Sequence, residues 1–154
     1  MTIRTVEEKD FEKLVELYKS FFKTHNIFQQ SNEGIVSYLK KQSKKKDLIV
    51  FDDNSSIRGA LLLVNFGQNA DGSHKLWKLR HFAFENDNVA SQLLDEAENK
   101  IKQQSTTSKI ELSIAENEEG IDFFKSKNYK EEGALSNHYR WNETCFIFSK
   151  SFSQ

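Results

Sequence analysis

The sequence predicts a mixed α/β fold, a central β-sheet of about seven strands flanked by about four helices. Three observations carry that expectation. Apolar residues alternate in short runs and recur at helical spacing in longer ones, so strands and helices can be told apart. Read in order, the runs give β-α-α-β-β-β-α-β-α-β-β. Three adjacent strand runs in the middle suggest an antiparallel meander, and strands separated by helices suggest parallel crossovers.

The first strand is "TIRTV", Thr2 to Val6. Phe11, Leu14, Val15, Tyr18, Phe21 and Phe22 then recur at helical spacing, with Asp10 or a neighbouring acid placed to cap or charge the helix start. "SNEGIVSYLKKQSKKK" reads as a second helix with Ile35, Val36 and Leu39 inward. Its lysine-rich end, Lys40 to Lys46, reads first as a solvated helix terminus at the negative pole of the dipole, and second as an attractor for an anionic ligand. "DLIVFDD" (Asp47 to Asp53) and "IRGALLLVNFG" (Ile57 to Gly67) are strands joined by a short polar link, a hairpin pattern. Asp71-Gly72 marks the next turn, and "HKLWKLRHFAF" (His74 to Phe84) is the third long strand. A helix on Ala90, Leu93, Leu94, Ala97 and Ile101 follows, then a strand from Lys109 to Ala115 and a short helix with Ile121 and Phe124 inward. "YKEEGALSNHYRW" and "ETCFIFSKSF" close the chain as a hairpin joined at "WNET", with Trp141 in core or hairpin packing.

The totals bound the function classes. At 154 residues the chain fits one domain, residues 1–154, long enough to bury a core without staples. Only 37% of residues are apolar and 29% are charged, but thirteen Phe supply large buried areas. A net charge of −1 argues against nucleic acid as the main partner. One cysteine, Cys145, excludes an intrachain disulfide and most cysteine metal sites, and the four His are too scattered to suggest a metal centre. No apolar run approaches membrane-spanning length, and the N-terminus lacks an apolar signal core, so the expectation is a cytoplasmic protein without a membrane partner. There is no proline, so loops must turn on Gly, Asn, Asp and Ser. A homodimer is a possible assembly.

"AENEEGIDFFKSKNY", Ala115 to Tyr129, carries the most specific motif. Together with the element order and the opening "IRTVEEKDFEKLVELYKSFF", it resembles the GNAT superfamily of acyl-CoA-dependent N-acyltransferases, over essentially the whole chain. Asn117, Gly120, Phe123, Phe124, Asn128 and Tyr129 fall in register with that family's pattern. The resemblance implies that Asn117 contacts the cofactor, acetyl-CoA. It also implies a tyrosine that protonates the leaving thiolate, but Phe124 stands at that position, on the cofactor path without a proton to give. Read from the residues alone, Phe124 is a core aromatic of an amphipathic helix.

The second place of resemblance is the junction "HFAFENDNVASQLLDEAENKI", His81 to Ile101. In the family a strand runs here into Gln/Arg-x-x-Gly-x-Gly/Ala, whose backbone N–H groups hold a pyrophosphate at the helix start. Glu85 falls on the Gln/Arg, Asn88 on the first Gly and Ala90 on the second small residue, in a shorter and more acidic loop. The resemblance places the phosphates against the backbone of Asn88, Val89, Ala90 and Ser91. A helix N-terminus gives an anion about 0.3–1 kcal/mol. A carboxylate about 6 Å from a phosphate charge costs roughly 3 kcal/mol at an effective dielectric near 20. Glu85 and Asp87 can therefore offset the dipole, and Asp87 can cap the helix itself.

Acyl transfer to an amine needs the amine deprotonated, the thioester carbonyl polarised and the two held together. The resemblance assigns the polarising N–H to the backbone within Phe82, Ala83 and Phe84. His81, a residue type whose ordinary titration range lies near neutrality, and Glu85 are the candidate bases, against the plainer readings of a packed or solvent-facing side chain. His138 and Tyr139, read on the penultimate strand, are candidates for orienting the substrate, with Tyr139 a proton donor in place of Phe124. Two functions follow: an N-acetyltransferase acting on a primary amine of a small molecule or protein, or a GNAT-fold binding or regulatory module without catalysis.

Overall fold

A computed structural model describes residues 1–24 and 26–154. His25, one of the four scattered His, lies outside the described residues. Among the described residues there are seven strands and four α-helices: β1 (Thr2–Thr5), α1 (Phe11–Phe21), α2 (Asn32–Ser43), β2 (Asp47–Asp53), β3 (Ser56–Gln68), β4 (His74–Phe84), α3 (Asp87–Lys102), β5 (Thr107–Ala115), α4 (Ile121–Ser126), β6 (Lys130–Ser136) and β7 (Thr144–Ser153). The strands form one sheet in the order β1-β2-β3-β4-β5-β7-β6. It is mixed: β4 and β5 pair parallel, whereas β1-β2, β2-β3, β5-β7 and β6-β7 pair antiparallel. Two compact units divide the chain, one of Met1–Val64 with His81–Asn99, the other of Asn65–Arg80 with Lys100–Gln154.

In the first unit, alternation along β2 and β3 separates two faces. Leu48, Val50, Ala60, Leu62 and Val64 join Phe11, Leu14, Val15 and Tyr18 of α1 and Ile35 and Leu39 of α2 in one apolar cluster. Each Val, Leu, Ile or Phe side chain among them contributes about 1.5–3 kcal/mol when fully buried. Val36, expected inward, is half-buried at the margin of this cluster. Gly59 points the other way: a Cβ there would meet Val89 Cγ1 at 2.6 Å and Leu93 Cδ1 at 2.7 Å, so its missing side chain lets α3 sit down on β3. The β2-β3 link turns on Asn54 and Ser55, both with positive φ (53° and 71°), as a tight hairpin of this hand requires.

Asp10 stands at the N-cap position of α1, but its side chain makes no cap hydrogen bond there. Its carboxylate is buried, accepting from Arg4 Nη1 (2.7 Å), Arg4 Nη2 (3.0 Å) and the Glu7 N–H (2.7 Å). Arg4 Nη2 also reaches Asp52 Oδ2 at 2.7 Å, so one guanidinium ties β1 to β2 and to the turn before α1. Burial alone would raise the Asp10 carboxyl; the hydrogen bonds from Arg4 and the Glu7 N–H outweigh it and hold it below the usual range.

In the second unit, β4 pairs with β5 from His74↔Thr107 to Lys78↔Glu111, and β5 pairs with β7 from Thr107↔Ser153 to Ala115↔Cys145. Trp77, Ile110, Leu112, Ile114, Phe123, Phe124, Tyr129 and Phe148 are buried. Two expectations fail here. In α4 the buried pair is Phe123 and Phe124, while Ile121, at its first turn, is only half-buried. The last hairpin turns earlier and more widely than "WNET": β6 ends at Ser136, and residues 137–143 form the link. Asn137 and Asn142, both at positive φ, shape it, and the Asn137 N–H donates to the Glu143 carbonyl at 2.9 Å. Trp141 is therefore 80% exposed, not packed. Among the described residues no helix is long and apolar enough to cross a membrane, and no three His, Cys, Asp or Glu gather as a metal site.

Candidate functional site

The end of β4 departs from regular strand geometry at one residue. His81 has φ 49°, the left-handed region that a side-chain-bearing residue seldom enters. Two tyrosines hold it. The Tyr18 hydroxyl of α1 donates to the His81 carbonyl at 2.8 Å. The Tyr38 hydroxyl of α2 and His81 Nε2 are hydrogen-bonded at 2.7 Å, the donor depending on the imidazole tautomer. Phe28 meets the imidazole edge-on, 5.1 Å between centroids at 87°, and stacks on Tyr18 at 4.5 Å and 11°. Tyr18 is fully buried, and burial pushes its phenol well above the ordinary value, so the hydroxyl stays a donor. The His81 side chain is half-buried and fixed in place.

Past His81, Phe82 and Ala83 are buried, and Phe84 is half-buried beside Phe82 (5.2 Å) and Phe21 of α1 (4.9 Å). The chain then turns through Glu85 and Asn86 into α3. The Glu85 N–H donates to the Arg58 carbonyl at 2.9 Å, and its carboxylate lies 3.5 Å from Arg58 Nη1. Arg58 Nε lies 2.9 Å from Asp53 Oδ2. The acidic turn thus has a cation beside it, from β3.

The helix cap is Asn86, not Asp87. Asn86 Oδ1 accepts from the Val89 N–H at 3.0 Å, and the Asn86 carbonyl accepts from the Ala90 N–H at 3.1 Å. Asp87 and Asn88 are exposed in the first turn. Among the described residues their N–H groups have no acceptor, as the geometry of a helix start dictates. The amides open to an anion are therefore those of Asp87 and Asn88. Those of Val89 and Ala90 are already engaged, and Ser91 stands a turn in, where the helix's own carbonyls take the amides. Val89 instead buries its side chain toward Gly59, and the Ala90 side chain is buried as well.

The second unit holds the remaining predicted residues. Asn117 is exposed in the turn after β5. Phe124 is 3% exposed, its ring 5.3 Å from Phe123 and 5.2 Å from Tyr129, a core aromatic with its Cε2 3.7 Å from a Cβ built on Gly120. His138 and Tyr139 are not on a strand. They lie in the 137–143 link, exposed, their rings 4.6 Å apart. Tyr139 is 61% exposed. Nearby in sequence, Arg140 Nε donates to Glu143 Oε2 at 3.0 Å, burial raises the Glu118 carboxyl, and burial followed by the charge of Glu118 raises the Cys145 thiol.

The sequence reading missed four residues of this arrangement. Tyr18 and Tyr38 carry helical spacing that marks a core position, and nothing local tells a buried hydroxyl from a buried ring. Arg58 reaches Glu85 across a strand pair. Asn86 does have a local signal, since Asn immediately before a helical run is a favoured cap.

No family model matches the sequence, and no curated protein matches it. Solved structures do match over nearly the full length. An aminoglycoside 6'-N-acetyltransferase from Enterococcus faecium is 12% identical, with TM-score 0.76, covering 98% of this chain and 97% of its own. An aminoglycoside 6'-N-acetyltransferase complexed with coenzyme A is 12% identical, with TM-score 0.73 and the same coverage. The chain has the GNAT fold. An acetyltransferase of the GNAT family from Streptococcus pneumoniae is similar too, 16% identical with TM-score 0.68 over 99% of each chain. In this fold β4 ends at Phe84 and α3 begins at Asp87, with Glu85 and Asn86 between them.

Proposed function

We propose that the chain is an acyl-CoA-dependent N-acetyltransferase that transfers an acetyl group from acetyl-CoA to a primary amine of a small molecule or protein. One observation carries the reading. The helix that follows β4 presents two open amides, Asp87 and Asn88, in its first turn, and the nearest strand-end carboxylate, Glu85, is drawn to Arg58. A diphosphate gains from both the amides and the dipole of a 16-residue helix. With Arg58 beside Glu85, the charge cost worked out from sequence is smaller than the bare acids imply.

The residues of this chain divide the chemistry simply. Asp87 and Asn88 bind phosphate, the backbone of Phe82 to Phe84 supplies an N–H to the thioester oxygen, and His81 takes the proton that the amine sheds on attack. The C–N bond forms as the C–S bond breaks. The thiolate takes its proton from water, since Phe124 has none to give. The tyrosine contact at Nε2 fixes the imidazole, as a positioned base requires.

A second reading, a GNAT-fold binding module without catalysis, is favoured by one observation, the burial of Phe124 at the position of the family's proton donor. Thiol release from acetyl-CoA in the presence of an amine panel separates the two. The transferase reading expects amine-dependent release that falls at least 100-fold in His81→Ala, together with a CoA-dependent rise in Tm. A Tm rise without thiol release is the module's result. No Tm shift at millimolar CoA overturns the transferase reading.

A further inference from the structure

The strained residue at the end of β4 raises a question that the fold alone does not answer: what keeps a histidine in a left-handed conformation? Such a conformation persists only where its surroundings over-determine it. Here two contacts converge from α1. The Tyr18 hydroxyl donates to the His81 carbonyl at 2.8 Å, and the Tyr18 ring stacks on Phe28, which in turn lies edge-on to the imidazole. Tyr18 is itself fully buried, so it cannot yield. A part-buried carbonyl that lost this donor would need another, and turning the His81 peptide is the direct way to find one.

We infer that Tyr18 is a positioning residue: its hydroxyl holds the His81 carbonyl in the left-handed turn and thereby sets the imidazole against Tyr38. The backbone torsion and the side-chain direction of one residue are coupled, so fixing the carbonyl fixes where the ring can point. Tyr38 then reads that direction through the bond at Nε2. Burial keeps the Tyr18 phenol protonated, so this constraint does not titrate across the neutral range. The catalytic consequence rests on the transferase reading above; the conformational statement does not.

The test uses the full chain with 15N-labelled histidine, comparing the wild type with Tyr18→Phe by NMR titration. The phenylalanine keeps the ring and its stack and removes only the donor. The His81 ring-nitrogen shifts are expected to move toward those of an unconstrained imidazole, with the titration midpoint displaced by roughly 0.3 pH unit or more, a two-fold change in proton affinity. If the transferase reading holds as well, kcat falls with KM for acetyl-CoA nearly unchanged, and the acidic limb of the rate profile, where a protonated base is inactive, moves with the NMR midpoint. Ring shifts and a midpoint superimposable on wild type would overturn the inference and leave Tyr18 as packing only. Should Tyr18→Phe fail to fold, the same change is made in a His81→Gly background, where positive φ carries no side-chain penalty. Recovery of folding there supports the inference, and failure to recover refutes it. An inactive protein whose His81 resonances respond to Tyr18→Phe counts against the transferase reading alone.

Discussion

Replacing the cap of α3 should lower stability and raise coenzyme A affinity at once. Asn86→Gly removes the Oδ1 that now accepts from the Val89 N–H at 3.0 Å. A glycine cap costs only a few tenths of a kcal/mol relative to asparagine. That corresponds to a Tm lower by roughly 1 °C for a chain of this size. The freed Val89 amide becomes a third donor beside those of Asp87 and Asn88. A hydrogen bond to a charged group contributes about 1.5–3 kcal/mol, and every 1.4 kcal/mol is ten-fold in affinity. Val89 is 3% exposed, so the lower end applies, about ten-fold tighter binding of CoA. Calorimetric titration reads the affinity and differential scanning reads Tm. Asn86→Asp is the control: it keeps the cap oxygen and adds a charge, so stability should hold while CoA binding weakens. Equal affinities for wild type, Asn86→Gly and Asn86→Asp would refute the placement of phosphates at this turn.

Other substitutions test the frame around the site. Arg4→Met leaves the buried Asp10 carboxylate without its partner and should cost about 3–5 kcal/mol in denaturant unfolding at pH 7. Because the Asp10 pKa is lowered in the folded protein, the stabilisation is present above its unfolded value near 4 and lost as pH falls through the folded one. The gap between wild type and variant should therefore narrow in acid, and a pH-independent gap would contradict the ion-pair explanation. Gly59→Ala drives a methyl into Val89 and Leu93; Val89 is β-branched and stiff in a helix, so the expected loss is about 1–3 kcal/mol by thermal melting. Glu118 has a raised carboxyl pKa, so its ionisation opposes folding as pH rises through the unfolded value toward the folded one. Glu118→Gln should be more stable than wild type at pH 7 and no more stable at pH 3.

How much of this was legible depended on whether the deciding interaction was local. Strands β2 and β4 match the bounds read from their apolar runs, because alternation with Val, Ile, Leu and Phe leaves few other options. Turns were legible in place but not in shape, since with no proline the punctuation falls to asparagine, which also occurs inside elements. The stretch "SNHYRW" shows why this matters. Its aromatics carry strand propensity, yet Asn137 and Asn142 adopt positive φ and pull His138, Tyr139 and Trp141 into an exposed link. At the site, "ENDN" showed its acids but not Arg58, which sits 27 residues away and meets Glu85 only once β3 lies beside β4. The left-handed turn at His81 was unreadable for the same reason: no residue type in "RHFAF" demands it, and two tyrosines from separate helices impose it.

The most direct measurement is an amide-resolved 15N NMR titration of the wild-type chain with coenzyme A. If the helix start grips the diphosphate, the largest shift changes fall on the amides of Asp87 and Asn88 and saturate together. Saturable changes elsewhere that leave those two amides still, or no change at millimolar coenzyme A, would contradict it.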